Sequence, residues 1–150
     1  MTWISVTTKL LALMIWQKIS NSCNLPQFFL TQHRILDLSY NNLVKLPSNP
    51  PLDFPRLVKL SLKKNNLKGL SGIEKFQSLT YLKLSRNDLS SLGEIKKLSN
   101  LKTIKGISLY RNPVSDSTNP KEYIQTLVTV CPNLESLDHI PIQTLWAKHF

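Results

Sequence analysis

Acidic side chains are scarce in this chain: 9 Asp and Glu stand against 19 Lys and Arg, a formal net charge of +10 over 150 residues. That deficit argues against a cationic partner and favours an acidic one, whether protein, nucleic acid or anionic membrane. Cysteine occurs twice, at Cys23 and Cys131 near opposite ends of the sequence. Two such residues make no cystine framework, and their separation disfavours a bridge. The 4 glycines form neither a phosphate loop nor a dinucleotide turn, and no nucleophile elbow occurs. No N-x-S/T sequon is present. His33, His139 and His149 are scattered, with no pair at metal-ligand spacing. The longest apolar run, "KLLALMIW" (9–16), falls well short of the ~20 residues that cross a bilayer. These absences predict a chain that is not an enzyme and carries no cofactor, no metal, no small-molecule substrate and no transmembrane segment.

What the chain has in abundance is leucine at fixed spacing. "RILDLSYNNLVKL" (34–46), "LVKLSLKKNNLKGL" (57–70), "LTYLKLSRNDLSSL" (79–92) and "IKGISLYRNPV" (104–114) share the template L-x-x-L-x-L-x-x-N-x-L. Their asparagines, Asn41, Asn65, Asn87 and Asn112, are 24, 22 and 25 residues apart. A period of that size marks a solenoid of leucine-rich repeats, in which each unit buries its apolar face only by stacking on its neighbours. The L-x-L core reads as a short strand with leucines pointing inward and the intervening residues outward. The asparagine falls where the strand turns, and its amide is suited to pairing backbone groups left open at that corner. The fold class is therefore α/β: a leucine-rich-repeat solenoid with a curved parallel sheet on its concave side and a helical cap at each end.

The organisation follows from this period. Residues 1–32 are expected to form the N-terminal cap and a partial first repeat. Leu10, Leu13, Met14 and Ile15 lie on one face of a capping helix, and Leu25, Phe28 and Phe29 extend the core. The same apolar run weakly imitates a secretory signal but lacks a small-x-small cleavage site. Repeats fill 33–118, a C-terminal cap 119–140, and a tail 141–150. Within "NPKEYIQTLVTVCPNLESLD" (119–138) a helix is predicted from about Pro120 to Val130. Pro120 suits a helix start, where its missing N–H costs nothing. Tyr123, Leu127 and Val130 recur at helical spacing, Pro132 ends the helix, and Leu134 and Leu137 close the core. Asp138 is expected to bond local backbone at the end of the cap, and Cys131 to be a buried structural thiol.

The outward strand positions line the concave face. They bring Lys59, Lys63, Lys64, Lys83, Arg86 and Arg111 together against Asp37, with Tyr40, Tyr81 and Tyr110 interleaved. Tyr and Arg anchor interfaces through large, partly apolar contact areas, so these residues (Asp37 excepted) are the candidate partner-binding set. Lysines on an outer strand also serve plain solubility, and Lys68, past the asparagine turn, is read as solvated.

The order N-P-V…Y-x-x-x-L…P-x-L-x-x-L-D, carried by Asn112, Pro113, Val114, Tyr123, Leu127, Pro132, Leu134, Leu137 and Asp138, resembles the terminal cap of intracellular leucine-rich-repeat proteins. These are of the type that includes the spliceosomal A-prime protein, the repeat subunit of protein phosphatase 1 and centriolin. The resemblance implies a monomeric, non-catalytic scaffold in the cytoplasm or nucleus that grips a helix or acidic segment of a protein on its concave face. An RNA-binding adaptor using the same face is the alternative, with tyrosines stacking on bases and lysines neutralising phosphates. The passage 23–47 resembles the opening of Toll-like receptor ectodomains. That similarity is local, and it leaves a secreted recognition domain as a third reading.

Overall fold

The computed structural model describes residues 4–5, 34–46 and 55–150. The expected capping helix over 9–16 and the partial repeat over 21–32 lie outside the described residues, as do Cys23 and His33. Among the described residues seven strands form one sheet in sequence order: β1 Ile4–Ser5, β2 Ile35–Asp37, β3 Lys59–Ser61, β4 Tyr81–Lys83, β5 Gly106–Ser108, β6 Ser136–Leu137 and β7 Ile140–Pro141. Every neighbouring pair from β1 to β6 is parallel, and β7 returns antiparallel to β6. A strand at residues 4–5 is not among the sequence expectations, which give 1–32 to a cap and a partial repeat. Its β-branched signal, "TWISV" (2–6), is short. Its position is set by the β2 edge, whose unpaired N–H and C=O groups need a partner.

The register stacks like on like. Leu36 pairs with Leu60, Leu60 with Leu82, Leu82 with Ile107 and Ile107 with Leu137. Each repeat then delivers a second and third buried apolar residue, Leu38/Leu43, Leu62/Leu67, Leu84/Leu89 and Leu109/Val114, into one continuous core. Opposite the sheet the chain returns through a 3-10 turn, Ile73–Lys75, then through helix α1, Leu92–Lys96, and a second 3-10 turn, Lys97–Asn100. Helix α2, Pro113–Ser117, follows the last asparagine, and the cap helix α3, Pro120–Val130, has the bounds expected from the sequence. Asn119 caps α3 by accepting from the Lys121 N–H at 2.9 Å. Tyr123, Ile124 and Leu127 face the core.

The asparagines tie adjacent repeats together. Asn87 accepts from Leu67 N at 3.0 Å and donates to Leu84 O at 2.8 Å and Leu62 O at 3.0 Å. Asn65 and Asn112 repeat the pattern one repeat earlier and later. Asn41 donates to Leu38 O and Ser39 O, while its own carbonyl oxygen has no partner among the described residues.

Asp138 departs from the expectation that it bonds local backbone. Its Oδ1 accepts from Leu109 N at 2.7 Å, Tyr110 N at 3.0 Å and Ser108 Oγ at 3.2 Å, all one repeat upstream. In earlier repeats the N–H equivalent to that of Leu109 bonds the next parallel strand, as Leu84 N does Ser108 O. After β6 the chain reverses into β7, so a carboxylate supplies the missing acceptor. The segment read as a tail is also ordered: Ile142–His149 forms helix α4, and Ile142 and Leu145 pack against the core. Its apolar spacing carries a helical signal too brief to separate from a loop.

Two expectations follow. Leu62 is fully buried, so Leu62→Ala should cost about 2–5 kcal/mol. Asn87→Ala strands the buried Leu67 N–H, while Leu62 O and Leu84 O keep Asn65 and Asn112 as donors, and should cost about 1–3 kcal/mol, more than Asn41→Ala, which opens no N–H among the described residues. Thermal melts followed by circular dichroism rank the three variants, and equal midpoints for the two asparagine variants would contradict the ladder.

Candidate functional site

Four rows cross the face of the sheet that points away from the leucines. In chain order of strands they are Ile35, Lys59, Tyr81, Gly106; then Asp37, Ser61, Lys83, Ser108; then Ser39, Lys63, Ser85, Tyr110; and last Tyr40, Lys64, Arg86, Arg111. The first two rows are strand residues, and the last two follow as each strand runs into its asparagine corner. All nine residues of the predicted set thus share one face.

The last row has a backbone feature the sequence reading misses. Tyr40, Lys64, Arg86 and Arg111 have φ of 60°, 54°, 58° and 57°, a left-handed conformation uncommon for side chains with a Cβ. The corner demands it. Lys64 N must reach Ser85 O, and Arg86 N must reach Tyr110 O, while the next residue's amide turns inward to the ladder. Position x in the dipeptide x-Asn is the sequence signal, but only glycine there would have announced the conformation.

Among the described residues none of Lys59, Lys63, Lys64, Lys83, Arg86 and Arg111 is within ion-pair distance of an acid, whereas Lys97–Glu94 (2.8 Å) and Lys105–Glu135 (2.7 Å) pair elsewhere. The two acids at the margins of the face are engaged by other donors. Asp37 accepts from Ser39 N at 2.9 Å, and Asp138 takes the three donors described above. Three of the lysines instead lie over tyrosine rings. Lys59 Nζ is 5.3 Å from the Tyr81 centroid, and Lys63 and Lys64 are 6.0 and 4.4 Å from that of Tyr40. Each such contact is worth about 0.5–1 kcal/mol at an exposed site.

Gly106, absent from the predicted set, seats one of these rings. A Cβ there would stand 2.7 Å from Tyr81 Cδ1, closer than carbon atoms approach, so the missing side chain lets the Tyr81 ring lie across the next strand. Between Tyr81 and the first repeat is a depression of about 200 Å³, lined by Ile35, Asp37, Lys59, Ser61 and Lys83 among others. Ser39 and Ser61 hydroxyls meet at 2.6 Å nearby. Tyr110 is half-buried. Its hydroxyl is held below its ordinary pKa by a hydrogen bond with Ser85, and then by the charges of Lys63 and Arg86.

Chemistry of another kind is not assembled. Among the described residues no group of His, Cys, Asp and Glu is placed to hold a metal ion, and no helix is long and apolar enough to cross a membrane. Cys131 is buried, and burial pushes its thiol pKa up to about 11, the wrong direction for a nucleophile.

The family model of the leucine-rich repeat matches residues 14–145. Among solved structures, a chain in the Drosophila melanogaster SNF/U2A′ complex is 30% identical with a TM-score of 0.68, covering 84% of this chain and 74% of its own. A leucine-rich-repeat protein of Leptospira interrogans is 28% identical with a TM-score of 0.58, and the match covers 77% of this chain but 28% of that one. No curated protein matches the chain significantly.

Lys64→Gly should leave stability unchanged or raise it by up to about 1 kcal/mol, whereas Lys64→Val should lower it by about 1–2 kcal/mol, because a β-branched residue resists φ near 54°. Denaturant midpoints decide between these. In a Cys23→Ser background at pH 7, Cys131 should react with a thiol reagent only at the rate of unfolding; fast labelling of the native protein would contradict its burial.

Proposed function

The chain belongs to the leucine-rich-repeat family, and from that membership we propose that it is a protein-interaction scaffold whose concave face binds a helix or acidic segment of its partner. The repeat scaffold is of a typically non-catalytic kind. The observation that carries the finer reading is the uncompensated charge: six cations and three tyrosines share a face on which no cation is paired with an acid among the described residues. A charged group left without a partner of its own is free to exchange solvent for one on another molecule, and such complementarity speeds and selects association. Tyr40 and Tyr81 are 57% and 42% exposed, so their rings offer the apolar contact area that anchors an interface. The chain similar to this one in the Drosophila SNF/U2A′ complex is part of a protein assembly, which supports a protein partner here. The reading takes the protein as intracellular and monomeric.

An RNA partner fits less well. Base stacking needs a free aromatic face, worth about 1–3 kcal/mol per base. Here the rings of Tyr40 and Tyr81 already carry lysines, which a base would have to displace.

Reversing Lys63, Lys64 and Arg86 to Glu together should abolish capture of the partner from cell extract, while nuclease treatment should leave capture by the unaltered chain intact. Loss of all partners with nuclease, together with a log–log salt slope of about −0.7 per phosphate contact, would assign the face to nucleic acid instead.

A further inference from the structure

Within the cationic face, one group of side chains is organised more closely than charge alone requires. Ser39, Lys63, Ser85 and Tyr110 stand side by side in successive repeats, just past the strands. Neighbouring strands are about 4.8 Å apart, so Lys63 and Tyr110 flank the short Ser85 side chain from either side at roughly 9–10 Å between backbones. The tyrosine reaches back across that gap: Ser85 and Lys63 are the groups that hold its hydroxyl below its ordinary pKa. Arg86, one residue beyond Ser85 and held in the left-handed conformation at φ 58°, borders the same spot. Its Nε is shielded from solvent and has no hydrogen-bond partner. Neither Lys63 nor Arg86 has a carboxylate within ion-pair distance among the described residues.

An ammonium, a guanidinium and a phenolic hydroxyl thus come together from three repeats, all able to donate, with the buried Ser85 hydroxyl beneath the tyrosine. A carboxylate is planar and presents two oxygens, which a single guanidinium fork satisfies. A phosphoryl group presents three peripheral oxygens in a tetrahedral array with close to two negative charges, and takes donors from three directions. The lysine-covered rings of Tyr40 and Tyr81 argue against a nucleic-acid chain as the source of that phosphate. We propose that Lys63, Arg86 and Tyr110, with the buried Ser85 seating the tyrosine, form a subsite for the phosphoryl group of a phosphorylated side chain on the protein partner. The proposal rests on the reading of this face as the partner's seat.

The first test titrates the full chain with inorganic phosphate, and separately with acetate, at constant ionic strength in chloride. The Arg86 Nε–H and Tyr110 ring resonances are followed by NMR. Phosphate should shift both saturably and at least tenfold more tightly than acetate. Lys63→Met and Tyr110→Phe, each first shown to melt like the unaltered chain, should weaken that binding at least threefold. Equal affinity for phosphate and acetate overturns the proposal. So does displacement of inorganic phosphate by oligouridylate at a lower phosphate concentration than a neutral-flanked phosphoserine peptide requires. The second test treats the extract with phosphatase before capture, and partner recovery should fall at least tenfold. Recovery that survives phosphatase but is lost on charge reversal of Lys63, Lys64 and Arg86 removes the phosphoryl subsite and leaves the wider face standing.

Discussion

The asparagine amide at the corner of each repeat is the constraint on which the rest of the molecule depends. A three-residue strand has too few hydrogen bonds to hold its own direction, and each such strand must turn sharply to bury the leucines that follow. Asn65, Asn87 and Asn112 make the turn possible by serving both repeats they touch: one oxygen for the preceding repeat's N–H, one NH₂ for carbonyls of both. These bonds are buried, where an unmade one costs most. The leucine stack supplies the bulk of the burial, but the ladder sets its register.

The same corner shapes the candidate binding face. Turning the chain into the ladder forces the residue before each asparagine to positive φ, and three of those four residues are cations. Lys64, Arg86 and Arg111 therefore stand in line at strand spacing because of backbone geometry. The face is kept open by small residues. Ser85 and Ser108 are buried under their neighbours, and Gly106 lies beneath Tyr81. Large residues at these positions would prop the tyrosines and lysines apart and scatter the charge. At the far end Asp138 extends the strand ladder with a carboxylate in place of a backbone carbonyl. That exchange suits a terminus, where acceptors are needed and no further parallel strand offers a carbonyl.

Much of this was legible in the residues. The period of the asparagines and the alternation of leucine with polar residues fixed the repeats, the buried set and the side of the sheet on which the nine candidate residues fall. The cap helix was readable from Pro120 and the spacing of Tyr123 and Leu127. The misses share one cause, which is that each depends on a neighbour distant in sequence. Asp138 seemed local because its acceptor role is defined by N–H groups 28 and 29 residues away. Helix α4 (142–149) looked like a tail because its apolar residues mean little until the cap helix is there to cover them. Strand β1 exists as the partner of the β2 edge, and Gly106 gained its role from a ring 25 residues upstream.

The sequence by itself determined the architecture, because a repeat solenoid is built from contacts whose rule is the same in every unit and whose period shows in one dimension. Only the tertiary structure decided how the outer face is arranged. Which lysine lies over which tyrosine, which cations lack a carboxylate, and how Lys63, Ser85, Arg86 and Tyr110 meet are relations between side chains on different strands. Outward-facing residues are released from the packing that makes the core periodic, so no pattern along the chain records their partners.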